Sequence, residues 1–217
     1  MIKDPSAFIR DNTKLLSPPL VPEIKLHLAE ESLPIWLKTE EELGEINVPP
    51  PFWAFAWAGG QALARYLLDN PALVAGKTVL DLGCGSGLTA IASMLAGARS
   101  ALAADIDKLA LVATKLNAEV NGVLVETTSD DLLARAPQPF DVTLVGDLFY
   151  ERAMSEAVLA YIEAAAKGGS LVLIGDPQRN YFPRDRFTKV AEYNVPVTRE
   201  LEDNEIKRTA VWRLDAA

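Results

Sequence analysis

Cysteine and histidine are almost missing from this chain of 217 residues, which contains one of each. With Cys84 as the single cysteine, no disulfide within the chain is possible, so the fold depends on an apolar core. With His27 as the single histidine, no Cys/His cluster has the spacing of a zinc site, and no carboxylate motif replaces one. We therefore expect no metal ion in the functional site.

Positive charge is also scarce, because 21 lysines and arginines face 30 aspartates and glutamates, for a net charge of −9. No run of basic residues could follow a phosphate backbone, so we expect no nucleic-acid partner. An acidic surface suits a basic substrate segment, although acidity also serves solubility.

Long apolar segments are missing as well. The N-terminus has no apolar stretch of the signal-peptide kind, and the longest uncharged stretch, 49–64, is broken by three prolines and two glycines. We therefore expect no membrane segment and a cytoplasmic location. The hydrophobic fraction of 49% and the chain length are sufficient for one folded domain with a modest extension.

Short apolar strands alternate with helical patterns from about residue 59 onward. This alternation predicts an α/β fold with a doubly wound, mostly parallel sheet that is covered on both faces. The predicted strands are Thr78–Leu80, Ala101–Ala104, Val123–Val125, Val142–Val145 and Leu171–Ile174. We expect the main domain to span 49–217, whereas the proline-punctuated segment 1–48 is interpreted as an N-terminal accessory region.

The end of the chain has a different pattern. Residues 206–214 alternate as a strand does, and an extended piece at 193–198 precedes them. Asp203 and Asn204 indicate a turn between the two. The sequence therefore predicts a C-terminal antiparallel hairpin.

A glycine-rich loop, Asp81-Leu82-Gly83-Cys84-Gly85-Ser86-Gly87, follows the first strand of the alternating region. Ligands of doubly wound sheets bind beyond the carboxyl ends of the strands, where glycines allow close approach and a helix N-terminus favours an anion. A dinucleotide fingerprint would need glycine where Leu88 stands, and the Gly-Lys-Ser/Thr ending of a P-loop is absent. A purely structural turn is the remaining alternative.

Asp105 argues against a purely structural turn. It ends the second predicted strand, 24 residues after Asp81, where a carboxylate can accept hydrogen bonds from both hydroxyls of a ribose. Asp107 is better placed to cap the next helix, whose apolar stripe covers 109–120.

The loop and Asp105 together resemble the first motifs of class I S-adenosylmethionine-dependent methyltransferases. The resemblance implies a Rossmann-like sheet of seven strands, S-adenosyl-L-methionine as cofactor and S-adenosyl-L-homocysteine as product. It also implies that Asp130, after the third strand, contacts the adenine amino group, with Asp131 as the alternative. The cofactor-binding residues implied are Trp57, Asp81, Gly83, Gly85, Gly87, Asp105, Asp130 and Gly146.

A second motif, Gly146-Asp147-Leu148-Phe149-Tyr150, ends the fourth strand, near the expected methyl group. It lacks the Asn-Pro-Pro-aromatic pattern of many amide and base methyltransferases, and it resembles the Asp-x-x-Tyr element of protein lysine methyltransferases. Together with segments 51–61 and 176–182, it resembles the electron-transfer-flavoprotein beta-subunit lysine methyltransferase family in a bacterial form. The implied substrates are lysines of that flavoprotein subunit and, as a second candidate, a ribosomal stalk protein.

The resemblance also suggests residue roles. Asp147 and Tyr150 are the predicted catalytic residues; Asp147 would orient the amine or bind the substrate backbone. Phe149, Arg179 and Asn180 are the predicted substrate-binding residues, with core packing as the alternative for Phe149 and capping of the fold for the other two. Trp57 would touch the cofactor, or would anchor the N-terminal region over the sheet together with Trp53 and Phe55.

Two other functions stay open on the sequence alone. One is a small-molecule amine methyltransferase of the same fold. The other is a non-catalytic scaffold domain that binds an adenosyl group.

Overall fold

The computed structural model describes residues 2–30, 32–44, 50–197 and 206–214. The helices are α1 (Pro5–Asn12), α2 (Ser32–Leu43), α3 (Ala58–Asp69), α4 (Leu88–Leu95), α5 (Lys108–Val120) and α6 (Arg152–Lys167). The strands are β1 (Lys14–Leu16), β2 (Leu26–Leu28), β3 (Thr78–Leu82), β4 (Ser100–Ala104), β5 (Glu126–Thr128), β6 (Val142–Gly146), β7 (Leu171–Asp176), β8 (Phe187–Pro196) and β9 (Ile206–Leu214). In these ranges no helix is both long and apolar enough to cross a membrane.

The main sheet has seven strands in the order β5-β4-β3-β6-β7-β9-β8. Strands β3 to β7 pair in parallel, and β9 pairs antiparallel with β7 on one side and β8 on the other. The structure thus confirms the predicted doubly wound, mostly parallel sheet with a C-terminal antiparallel hairpin. The strand order reverses between β3 and β6, which is where ligands bind in such sheets.

Helices cover both faces of the sheet. Successive residues of β3 face opposite sides, so Val79 belongs to the core beneath α3 and α4 while Leu80 belongs to the core beneath α6. Both side chains are fully buried. This two-faced burial is the reason that the central strands are apolar runs and do not alternate.

One predicted strand is wrong in position. Residues 123–125 are not a strand; β5 begins three residues after Val123 and is polar. Gly122 ends α5 with a φ of 67°, and the N–H of Val123 still donates to Ala118 of that helix, so these apolar residues only bring the chain to the sheet. Because β5 is an edge strand, it needs no apolar run. The predicted turn at 203–204 lies outside the described residues.

The N-terminal segment packs on the main domain. Val21, Ile24 and Leu26 are fully buried in the core under α3 and α4. The backbone N–H of His27 donates to Oδ1 of Asn117 on α5 at 2.7 Å. We still propose that 1–48 is an accessory region and 49–217 the methyltransferase domain; the proposed boundary falls among residues outside the described ranges.

Helix α3 begins directly on the carboxyl ends of β6 and β7, where two glycines make the contact. A Cβ atom at Gly59 would lie 2.1 Å from the carbonyl oxygen of Gly175, and one at Gly175 would lie 2.0 Å from the carbonyl oxygen of Gly59. Backbone therefore touches backbone at this crossing, and no side chain fits on either side.

We expect Gly59→Ala to destabilise the protein by about 1 to 3 kcal/mol or more, because the added methyl group forces helix and strand apart. The matched control is Gly60→Ala, one residue along the same helix. Its Cβ would have no neighbour nearer than 3.9 Å, so its free energy of unfolding should be unchanged or slightly higher. Urea unfolding of both variants measures the difference, and equal midpoints would contradict the close packing described here.

Candidate functional site

The glycine loop after β3 has three left-handed residues, Gly83, Gly85 and Gly87, with φ of 69°, 52° and 78°. A Cβ at Gly83 would lie 2.7 Å from Leu148, and one at Gly87 would lie 2.6 Å from Thr114. At Gly85 the nearest atom is 3.8 Å away. Packing therefore requires two of the glycines, whereas Gly85 leaves room for a ligand.

Asp81 fixes the loop to the helix that follows it. Its side chain is buried, and Oδ2 accepts the N–H of Ala90, in the first turn of α4, at 3.0 Å. Burial raises the pKa of this carboxyl to about 6. We therefore expect Asp81 to contribute to cofactor binding indirectly, by holding the N-terminus of α4 in place.

Asp105 follows β4 and turns its carboxylate into the loop. Oδ2 accepts the N–H of Gly85 and Oδ1 accepts the N–H of Asp107, both at 2.9 Å. A carboxylate has about four acceptor sites, so each oxygen can take one more donor, as a ribose diol requires. Burial raises the pKa of Asp105. The predicted cap is confirmed, since Oδ1 of Asp107 accepts the N–H of Leu109 at 2.8 Å.

Asp130 and Asp131 lie on the surface after β5. Asp130 forms an ion pair with Arg135 at 2.9 Å, and Asp131 caps a short 3-10 helix by accepting the N–H of Leu133. A contact between Asp130 and adenine stays a prediction.

Asp147 joins three parts of the fold at the end of β6. Its backbone is left-handed, with a φ of 59°, and its N–H donates to the carbonyl of Gly175 at 3.0 Å. Oδ2 accepts the N–H of Gly60 in the first turn of α3 at 2.9 Å. Oδ1 accepts Nε and Nη2 of Arg179 at 3.0 and 2.7 Å. The predicted catalytic residue and a predicted substrate-binding residue are thus a nearly buried ion pair.

Aromatic rings surround this ion pair on the open side. The guanidinium carbon of Arg179 lies 5.5 Å from the centre of the Trp57 ring. The Phe52 ring lies 5.8 Å from Trp57 and 5.7 Å from Tyr150. We call Phe52, Trp57 and Tyr150 the aromatic rim; Phe52 and Tyr150 are exposed by 37% and 40%.

The aromatic rim contains one residue that the sequence did not single out, Phe52, and one predicted catalytic residue, Tyr150. Phe52 was missed as a site residue, although it stands in the aromatic run 52–57 of the sequence. The pKa of Tyr150 is raised by burial and by the charges of Glu151 and Asp105, so its phenol stays protonated.

Phe149 is not part of the aromatic rim. Its ring is fully buried and packs against Phe182 and Phe187, with ring centres 5.2 and 6.3 Å away. The structure therefore supports the alternative of core packing for Phe149 and contradicts its predicted role in substrate binding, because the turn after β6 directs residue 149 into the core and residue 150 outward. Asn180 is exposed on the loop after β7, and its substrate role stays a prediction.

Asp176 was missed by the sequence reasoning. It ends β7 with no exposed surface, and Oδ1 accepts the backbone N–H of Arg179 at 2.7 Å. Burial and the charge of Asp147 raise the pKa of Asp176 to about 7. The rule that singled out Asp105 and Asp147, a carboxylate at the carboxyl end of a parallel strand, would have found it.

We expect the buried Asp176 to make stability depend on pH. Its pKa is near 7 when folded and near 3.8 when unfolded, so folding becomes progressively less favourable between about pH 4 and 7. Asp176→Asn cannot ionise. The free energy of unfolding of the variant should therefore exceed that of the wild type increasingly as the pH rises. Above pH 7, this gain should approach an upper value on the order of 4 kcal/mol. Thermal unfolding of both proteins from pH 4 to 8 checks this, and parallel curves would contradict it.

Several named methyltransferases are similar to this chain in sequence. The chain is 39% identical to the electron transfer flavoprotein beta subunit lysine methyltransferase of Danio rerio, over 95% of this chain and 81% of the relative. The Homo sapiens protein of the same name is 36% identical, over 95% of this chain and 80% of the relative. The family model described as ribosomal protein L11 methyltransferase matches residues 62–167.

Solved structures support the fold. A ribosomal protein L11 methylase from Lactobacillus delbrueckii subsp. bulgaricus is similar with a TM-score of 0.51 and 24% identity, over 74% of this chain and 81% of that one. A magnesium protoporphyrin IX methyltransferase from Synechocystis, solved with bound S-adenosylmethionine, has a TM-score of 0.53 and 19% identity, over 72% and 78%.

The relatives extend over nearly the whole chain, and the folds of the solved structures agree with its sheet. Asp105 and the open side of Gly85 lie beyond the carboxyl ends of the parallel strands, where the sequence predicts the cofactor. The chain therefore belongs to the electron transfer flavoprotein beta subunit lysine methyltransferase family, whose members are S-adenosylmethionine-dependent protein-lysine methyltransferases.

Proposed function

We propose that this enzyme transfers methyl groups from S-adenosylmethionine to lysine side chains of the electron transfer flavoprotein beta subunit. The observation that carries the proposal is the identity of 36 to 39% to relatives named for that substrate, over most of both chains. The position of Asp147 and the aromatic rim, beside the cofactor loop, is consistent with it.

The residues around the glycine loop fit an adenosyl cofactor. Asp105 keeps acceptor sites for the ribose, and the open side of Gly85 leaves space beside it. The N-terminus of α4 suits the carboxylate of the methionine part. When bound, S-adenosylmethionine supplies a methyl group activated by a positively charged sulfur.

The aromatic rim suits a lysine side chain. A lysine must be neutral to attack, and at pH 7 this costs about 4.6 kcal/mol relative to its usual pKa. Phe52, Trp57 and Tyr150 can exclude water from the amine, which lowers that cost, and their ring faces can stabilise the cationic product. We propose that holding the amine in line with the methyl group is the main contribution of the protein.

We propose that Asp147 positions the acceptor and does not remove its proton. Each of its oxygens already accepts a hydrogen bond, and the charge of Arg179 balances its own. The bonds to the first turn of α3 and to Arg179 fix this carboxylate beside the aromatic rim, where it can orient the incoming amine or the substrate backbone.

The other candidate functions have less support. Phe52 and Tyr150 are open to the surface, which suits a side chain presented by a protein better than a free metabolite. The relatives are named as lysine methyltransferases, which argues against a scaffold that binds an adenosyl group without activity. The ribosomal match covers only 62–167, which leaves out Phe52, Trp57 and Arg179, so a ribosomal stalk substrate rests on the sequence resemblance alone. The cytoplasmic location also stays a prediction.

We expect Asp105→Ala to weaken S-adenosylmethionine binding roughly 5- to 150-fold, because the ribose hydroxyls lose a buried acceptor worth about 1 to 3 kcal/mol. Asp107→Ala is the matched control. It removes the cap of α5 and lowers stability by about 1 kcal/mol, while cofactor affinity stays within about twofold. Isothermal titration calorimetry measures both, and equal affinities would remove Asp105 from the cofactor site.

The substrate is tested with radiolabelled S-adenosylmethionine and purified flavoprotein beta subunit, with ribosomal protein L11 as a parallel sample. We expect label on lysine of the beta subunit and a loss of about 100-fold or more with Asp147→Ala, since a misplaced acceptor reacts far more slowly. Absence of label on that subunit, from a folded enzyme that binds cofactor, would refute the proposed substrate. Label on the ribosomal protein alone would favour the second candidate.

A further inference from the structure

The turn after β7 depends on one buried carboxyl group. Asp176 has no exposed surface, and its Oδ1 accepts the N–H of Arg179 at 2.7 Å, which closes a tight turn. Inside that turn Gln178 has a φ of 65°, a conformation that non-glycine residues rarely adopt. The hydrogen bond from the N–H of Arg179 to Oδ1 of Asp176 stabilises this strained turn.

Stability alone does not explain an aspartate here. Oδ2 of Asp176 is buried and has no hydrogen-bond partner among the described residues. Burying a polar atom without a partner is unfavourable, and burying a second carboxyl group close to Asp147 adds to that cost. A residue that weakens the fold in this way indicates a role in the site itself.

The turn sets the position of the Arg179 side chain. From its fixed backbone, Arg179 reaches Oδ1 of Asp147 with two nitrogen atoms and lies over the ring of Trp57. Asp147 in turn holds the N–H of Gly60 at the start of α3. A displacement of the Arg179 backbone would therefore move both a catalytic carboxylate and one ring of the aromatic rim.

We propose that Asp176 is a positioning residue for methyl transfer, which acts through Arg179 on Asp147 and Trp57 and does not touch the substrate. This inference rests on the proposed lysine methylation for its kinetic consequence only. The groups that act on the carboxyl of Asp176 are the carboxylate of Asp147, the backbone N–H groups of Gln178 and Arg179, and the guanidinium of Arg179.

Asp176→Ala removes the bond to Arg179, whereas Asp176→Asn keeps an oxygen in the same place. For the alanine variant we expect kcat to fall at least tenfold, while the Kd for S-adenosylmethionine stays within about twofold, because misplacement of about 1 Å can slow a reaction 100-fold. The asparagine variant should recover kcat to within threefold of the wild type. The matched control is Ser170→Ala, which loses a buried hydrogen bond to Thr143 at the opposite end of β7 and should keep kcat.

A double variant separates this role from a general loss of structure. If Asp176 acts through Arg179, then Asp176→Ala combined with Arg179→Ala should be no slower than Arg179→Ala alone. Multiplied losses in the double variant would overturn the proposal, as would a folded Asp176→Ala variant with the kcat of the wild type, or an asparagine variant as slow as the alanine variant.

A measurement without substrate keeps this inference separate from the proposed function. The Nε–H of Arg179, bonded to Asp147, should give a slowly exchanging signal in ¹H–¹⁵N spectra, assigned by its loss in Arg179→Ala. The signal should persist in Asp176→Asn and Ser170→Ala and vanish in Asp176→Ala. An unchanged signal in Asp176→Ala would refute the positioning role, whereas inactivity of the wild type toward the flavoprotein subunit would refute only the substrate.

Discussion

The site depends on the carboxylate of Asp147, which is bonded at once to the first turn of α3 and to Arg179. These two hydrogen-bond partners lie on either side of Asp147 in the sequence, 87 residues before it and 32 residues after it. Glycines at 59 and 175 let the helix lie close enough for the first bond. The close contact of α3 with β7 also places Trp57, which directly precedes α3, against the guanidinium of Arg179.

The two halves of the site are built differently. The predicted cofactor half consists of backbone N–H groups, left-handed glycines and one carboxylate, Asp105, which accepts hydrogen bonds from the backbone of Gly85 and Asp107. The acceptor half consists of side chains, an ion pair and three rings, delivered by α3, β6 and the loop after β7. Backbone geometry suits a ligand that every class I methyltransferase shares, whereas side chains can differ with the substrate.

The backbone of the predicted cofactor half follows local rules, and the contacts of its residues with the cofactor stay predictions. A strand, glycines at fixed spacing and a carboxylate at the next strand end are all visible along the chain. The acceptor half depends on contacts between distant residues, so the pairing of Asp147 with Arg179 and the part played by Asp176 could not be read from spacing alone. The sequence could not decide between substrate binding and core packing for Phe149. The left-handed Asp147, two positions before it, redirects the chain, and no local pattern signals that conformation at an aspartate. The third predicted strand lies three residues too early, because the apolar residues 123–125 have the pattern of a strand whereas the edge strand β5 is polar.

The acceptor half also shows why charge balance matters here. Asp147 and Asp176 lie near each other in a largely buried region, with Arg179 bonded to both through its side chain and its backbone. One guanidinium can balance one carboxylate, and the raised pKa of Asp176 follows from burial and from the charge of its neighbour. The protein thus places a second carboxyl group, that of Asp176, behind the ion pair of Asp147 and Arg179.

We propose that this site methylates lysines of the electron transfer flavoprotein beta subunit. The most direct measurement is quantitative mass spectrometry of lysine methylation across the proteome of the source cells, with the intact gene, without it, and with only Asp147→Ala present. We expect lysine methylation of the beta subunit with the intact gene, and its loss in both other strains. Unchanged methylation of that subunit in the three strains would contradict it.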